Sequence, residues 1–200
     1  MTDSPWINLV DDQPEVLKAL LRLLTAAGLQ ARAFGSASDF LAGSAAQEAG
    51  CVVLDLSMPG IDGLGLQQLL AERASLLPVI FLSGHGDLAS GVQAMKAGAS
   101  DFLTKPVDGE LLLAAVQSAL ERNAAARASQ ASQAELQQRL ASLTAREREV
   151  LPLLADGMLN KQIAAALGTA EQTIKIHRAR ILQKMQVRSV TALVRLIEQA

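Results

Sequence analysis

Asp55 ends an apolar run, Cys51-Val-Val-Leu, and a Met-Pro-Gly turn follows at 58–60. A short continuous apolar run closed by turn residues suits a strand buried on both faces. Asp55 then stands at the carboxyl end of that strand, where open α/β sheets hold their ligands. The rest of the chain has to supply the sheet around it.

Residues 7–10 form a second apolar run, which stops at Asp11-Asp12. Pro14 opens a helical pattern carrying Leu17, Leu20, Leu21 and Leu24, and Gly28 closes it. Residues 29–34 alternate as a half-exposed strand does, and Ser36 caps a helix expected to reach Gln47. After the Asp55 strand come a helix over 63–74, a buried strand at 78–82 ending in Ser83-Gly84, and a helix over 87–97. A fifth strand covers 100–103, Lys105-Pro106 terminates it, and a helix rich in Leu and Ala starts near Asp108. Strands alternating with helices at this spacing predict an α/β, doubly wound parallel sheet of five strands. In the flavodoxin-like order 2-1-3-4-5, Asp11, Asp12 and Asp55 flank the topological switch point, and Ser83 and Lys105 share their rim.

Charge divides the chain. Residues 1–121 hold 14 acidic and 6 basic side chains, a net of −8, whereas residues 122–200 hold 6 acidic and 12 basic, a net of +6. An acidic half joined to a basic half predicts two domains, the second facing a polyanion. Residues 122–143 are mostly Ala, Gln, Ser, Arg and Glu, and the sequence leaves open a solvated extension of the fifth helix or a partly flexible linker. The expected domains are thus 1–121, a linker at 122–141, and 142–200. The lone Cys51 cannot form an intramolecular disulfide, and no signal peptide or membrane-length apolar run is found; a reducing, cytoplasmic setting is expected.

Three carboxylates cannot gather ionised without a counter-cation. Asp11, Asp12 and Asp55 offer hard oxygen ligands suited to Mg²⁺. A carboxylate beside Mg²⁺ can act as a nucleophile toward phosphorus, with Ser83 donating to one phosphoryl oxygen and Lys105 pairing with another. Two competing motifs fail. Gly84-His-Gly86-Asp-Leu-Ala89 fits a loose dinucleotide pattern but follows the fourth strand, with Lys105 near the place of the acidic ribose partner. Ser83 lacks the glycine of a nucleophile elbow, since position 81 is Phe.

With these residues in place, residues 6–121 resemble the receiver domain of two-component response regulators. The resemblance implies that Asp11-Asp12 is the acidic pair, Asp55 the phosphoacceptor, Ser83 the hydroxyl residue and Lys105-Pro106 the Lys-Pro. It further implies that Phe102 is the switch aromatic, and that Mg²⁺ sits on Asp11, Asp12, Asp55 and the main-chain carbonyl of Ser57. Phe at 102 removes any hydroxyl-dependent switch bond and leaves rotation of the ring. The segment from Gly84-His-Gly-Asp87 through Met95-Lys-Ala-Gly98 leans toward the FixJ-like branch. Ser57 and His85 are expected to flank the path of the hydrolytic water.

The basic half opens with a capping box, Thr144-Ala-Arg-Glu147, on a helix that Pro152 interrupts and Gly157 ends. Asn160 is expected to cap the next helix, Gly168-Thr-Ala170 to turn the chain, Glu171 to start a helix to Met185, and Ser189 to cap a last one. These four short helices predict an all-α helix-turn-helix unit. Leu143–Glu147, Asn160–Ala164 and Thr173–His177 resemble the LuxR-type domain of the NarL/FixJ subfamily. With Ile174, Ile181 and Met185 facing inward, Gln172, Lys175, Ile176 and Ala179 face outward. Gln172 and Lys175 are candidates for base edges, Lys161, Thr173, Arg180 and Lys184 for phosphates, and His177 for packing. The last helix, through Val190, Leu193 and Ile197, is a candidate dimer contact or plain core.

The function expected is a transcriptional response regulator rather than a turnover enzyme. A sensor histidine kinase phosphorylates Asp55, and the protein dimerises on phosphorylation and binds promoter DNA, with RNA polymerase a further candidate partner. Two alternatives are a receiver used for protein binding without phosphorylation and an Asp-nucleophile phosphohydrolase. The latter lacks its usual second acid, because Ser57 stands two residues after Asp55.

Overall fold

The computed structural model describes residues 4–84 and 88–198 of the chain. Two units divide at 128/129. The first alternates β1 (Trp6–Val10), α1 (Pro14–Ala26), β2 (Gln30–Phe34), α2 (Ala37–Ala42), β3 (Gly50–Asp55), α3 (Gly63–Glu72), β4 (Val79–Ser83), α4 (Leu88–Lys96) and β5 (Asp101–Thr104). It then enters α5 (Gly109–Ala141), a 33-residue helix that runs past the division. All strands are parallel, in the order 2-1-3-4-5.

Burial follows the apolar runs. Every residue of β3 and β4 is buried, because helices cover both faces of these central strands. Alternate strand residues feed two cores. Ile7, Leu9, Cys51, Val53, Ile80 and Leu82 pack with α1 and α5, while Val10, Val52, Leu54 and Phe81 pack with α2, α3 and α4. The helix expected from Ser36 to Gln47 is instead α2 and a separate 3-10 turn, Ser44–Gln47, parted at Gly43, whose backbone is extended. Ser36 does cap α2, accepting from the Asp39 N–H at 3.1 Å.

Two buried amides tie the sheet together. Asn8 in β1 donates to the Cys51 carbonyl at 3.1 Å and accepts from Arg32 Nε at 2.6 Å. Asn123 in α5 accepts from the Gly50 N–H at 3.0 Å and donates to the Leu76 carbonyl at 2.6 Å, so it joins α5 to the amino ends of β3 and β4. The expected end of the first domain at residue 121 therefore falls short of a residue that its sheet uses.

In the second unit the last turns of α5 are followed by α6 (Ala145–Ala155), α7 (Asn160–Ala166), α8 (Glu171–Lys184) and α9 (Val190–Glu198). Leu136, Leu143, Val150, Leu154, Ile163, Ile174, Ile181, Met185 and Leu193 form its core. The Thr144–Glu147 capping box is present in both directions. Pro152 does not end α6, since Val150 and Leu154 anchor the helix on either side of it. Asn160 is the first residue of α7 and not its cap. That position falls to Leu159, whose N–H donates to the Gln162 side chain at 2.8 Å. Among the described residues no helix is long and apolar enough to cross a membrane.

Candidate functional site

The carboxyl ends of β1, β3, β4 and β5 bring Asp11, Asp55, Ser83 and Lys105 to one rim. Asp11 follows β1 directly, Asp55 and Ser83 are the final residues of β3 and β4, and Lys105 follows β5. Asp11 and Asp55 are buried and Asp12 is exposed, and one oxygen of each lies within 4.8 Å of the others. Lys105 Nζ bridges two of the acids, donating to Asp11 Oδ2 at 2.6 Å and Asp55 Oδ1 at 2.7 Å. The remaining oxygens are held by main chain: the Gln13 N–H donates to Asp11 Oδ1 at 2.8 Å, and the Ser57 N–H to Asp55 Oδ2 at 3.2 Å.

Burial pushes the Asp55 carboxyl above its ordinary value, against the opposing pull of Lys105, and the Asp11 charge adds to the rise. Burial acts to lower Lys105, but its bonds to Asp11 and Asp55 win, and its pKa lies above the usual value. The two directions agree physically. Two carboxylates share one ammonium, so the ammonium is over-stabilised and the second negative charge is left partly uncompensated. A divalent cation fits that remaining charge. The donor set is all oxygen, three carboxylates meet there, and one ammonium offsets only part of their charge.

Ser83, Ser57, Ser90, Gly84 and Gln13 line, with Asp55 and Lys105, a cavity of about 250 Å³ beside the carboxylate. Phe102, in β5, is half-buried against the α3/α4 core, its ring centroid 6.4 Å from that of Phe81. His85 lies outside the described residues. Sequence reasoning missed the helix seat of the site: the Gly63 N–H bonds the Leu56 carbonyl at 3.0 Å, and a Cβ at Gly63 would lie 2.5 Å from the Asp55 carbonyl oxygen.

In the second unit α7 and α8 form the helix-turn-helix. Gln172, Lys175, Ile176, Ala179 and Arg180 of α8 and Lys161 of α7 are exposed, Thr173 is half-buried, and Ile174 and Ile181 face the core. Lys184 departs from its expected place among phosphate contacts. Its Nζ donates to Glu147 Oε2 at 2.7 Å and to the Ser142 carbonyl at 2.9 Å, because the buried Glu147 requires a cation. Of the two readings left open for α9, Leu193 takes that of plain core, being fully buried in its own unit, while Val190 and Ile197 are partly exposed. His177 is half-buried, and its Nδ1 is buried without a hydrogen-bond partner, consistent with packing.

A switch-point carboxylate with a bridging lysine, and a helix-turn-helix further along, define a receiver coupled to a DNA-binding domain. Comparison with known proteins agrees. Residues 7–117 match the family model of the response regulator receiver domain, and residues 141–197 that of bacterial regulatory proteins of the luxR family. The response regulator protein TmoT of Ectopseudomonas mendocina is 43% identical over 193 residues, covering 96% of this chain and 88% of its own length. The transcriptional regulatory protein FixJ of Bradyrhizobium diazoefficiens is 38% identical over 200 residues, covering 100% and 98%. The structure of response regulator StyR superposes with a TM-score of 0.93 at 43% identity, over 98% of this chain and 100% of that one. Full-length FixJ from B. japonicum gives 0.61 at 37% identity, over 100% and 98%. The chain belongs to the two-component response regulators, in the FixJ-like group that joins a receiver to a LuxR-type DNA-binding domain. It is a transcriptional regulator.

Proposed function

We propose that a sensor histidine kinase phosphorylates Asp55 with Mg²⁺ present, and that the phosphoryl group controls dimerisation and promoter binding. The observation that carries this reading is the Asp55 carboxylate itself. It is buried at a strand end, bridged by Lys105, and within 4.8 Å of two further acids.

Asp55 attacks the phosphorus of a phosphohistidine; an O–P bond forms, the P–N bond breaks, and the imidazole nitrogen leaves with the electron pair. The Ser57 N–H and Lys105 orient the two carboxylate oxygens for attack. Asp11, Asp12, Asp55 and the Ser57 carbonyl would hold Mg²⁺, which supplies charge neutralisation for the transferring phosphoryl oxygens when bound. Lys105 offers its ammonium to one phosphoryl oxygen, and the Ser83 hydroxyl, across the cavity, donates to another. Movement of Ser83 toward phosphate opens space for the Phe102 ring to turn inward, and the changed face is read as dimerisation. In the DNA complex, Gln172 and Lys175 address base edges, Ile176 and Ala179 supply apolar contacts, and Lys161, Thr173 and Arg180 meet phosphates.

Incubation with acetyl phosphate and Mg²⁺ tests the first step. The wild type should take up one hydroxylamine-labile phosphoryl group and Asp55→Asn none. Equal uptake by both would overturn the assignment.

A further inference from the structure

Gln67 is a buried amide, 6% exposed, that the phosphoryl chemistry does not use. It lies one turn into α3, and both protons of its Nε2 go to main-chain carbonyls at the end of α4, Ala94 at 3.3 Å and Ala97 at 3.2 Å. The Ala94 carbonyl also accepts from the Ala99 N–H at 3.0 Å, so the amide adds a second donor at the end of α4, supplied by another element. The two carbonyls also fix which way the amide points, since its own oxygen cannot face them. That oxygen, Oε1, is buried and has no hydrogen-bond partner. Beside it lies a cavity of about 370 Å³ lined by Leu64, Gly65, Gln68, Ala71, Gln93 and Ala97. Here two amide bonds cross from α3 to the end of α4, beside the core that Leu66, Leu70 and Ala94 share.

Both helices lead to the switch. At its first residue α3 is seated on Asp55: a Cβ at Gly63 would lie 2.5 Å from the Asp55 carbonyl oxygen. In α4, the buried Gly91 lies beneath the Phe102 ring, where a Cβ would stand 3.4 Å from the nearest ring carbon. Gln67 thus joins the helix that rests on the phosphoacceptor to the helix that seats the switch aromatic.

We propose that Gln67 is a positioning residue for the phosphate response, its amide holding α4 to α3 so that a change at Asp55 reaches the seat of Phe102. This rests on Asp55 being phosphorylated. The test compares the full-length wild type, Gln67→Met and Gln67→Lys for affinity to a duplex selected from random sequences. Each is measured with and without beryllium fluoride as the phosphoryl mimic, in Mg²⁺. The Met variant lacks donors; the Lys variant keeps them. Q67M should take phosphate from acetyl phosphate at the wild-type rate, yet its ratio of affinities with and without the mimic should fall roughly threefold or more. Q67K should retain the ratio. If Q67M does not fold, Gln67→Glu, which keeps the shape and presents acceptors, should give the same loss. An unchanged ratio in the donor-less variant, even with a lower Tm, overturns the role of Gln67, as does an equal loss in Q67M and Q67K. A wild type that takes up no phosphoryl group overturns the proposed function itself, a different result from a wild type and Q67M that respond alike.

Discussion

Glu147 is 1% exposed on the first turn of α6, where it accepts from the Thr144 N–H and from Lys184 Nζ. Burial acts to raise its carboxyl, but the bonds from Lys184 and Thr144 outweigh burial and hold it below the ordinary carboxylate value. A depressed folded pKa stabilises the folded state at pH above the unfolded value, about 4.3, and that contribution is lost as pH falls through the lower folded value. Acid denaturation of the second unit should therefore steepen just below the ordinary carboxylate range. Glu147→Gln should flatten that region in a urea titration repeated at several pH values. At neutral pH the same change should cost about 1–3 kcal/mol, less than for a fully buried pair because the Lys184 side chain is 32% exposed. Glu147 was legible in the sequence as half of a capping box, because that motif is local. Its partner was not. Lys184 was expected among phosphate contacts, and only the tertiary meeting of α6 with the end of α8 brings it to Glu147. The same holds for Gln67, whose acceptors lie some 30 residues away.

At the scale of the element, α3 is where the sheet's chemistry becomes helix geometry. Asp62 caps it, accepting from the Gly65 N–H at 2.7 Å, and Gly63 lets its first turn lie directly on the Asp55 backbone. Gly63→Ala should destabilise the first unit by about 1–3 kcal/mol, since the obstructing atom is main chain and cannot swing away. It should also slow acetyl phosphate uptake. The urea midpoint would fall with an unchanged slope, and a midpoint equal to the wild type would refute the close approach. The alternating strands and helices were legible because buried strands read as continuous apolar runs, and Asp11, Asp55, Ser83 and Lys105 because each stands at or just past such a run. The ends of elements were less legible: Gly43 parts one expected helix, and Asn160 begins a helix that it was expected to cap. Both turn on backbone angles that side-chain periodicity does not encode.

For the whole molecule, the basic half is proposed to meet DNA through charged and uncharged side chains of α8, and the two kinds should differ in their response to salt. Arg180→Ala should weaken binding to all duplexes alike and reduce the salt slope of log K by about 1. Gln172→Ala should leave that slope unchanged and alter which sequences are preferred. Binding measured across a range of salt concentrations, on selected and random duplexes, distinguishes the two. The charge division was legible from composition, but the border between the parts was not, because it depends on what Asn123 touches. That amide has a consequence for how such chains are assembled over evolutionary time. A recombination event that exchanged the output half at residue 121 would leave the Gly50 N–H and the Leu76 carbonyl without their partner wherever the incoming helix carries no amide at that place. A crossover a few residues later, past Asn123, keeps both bonds, so a hybrid built from this chain should be more stable with its seam on the downstream side of that asparagine.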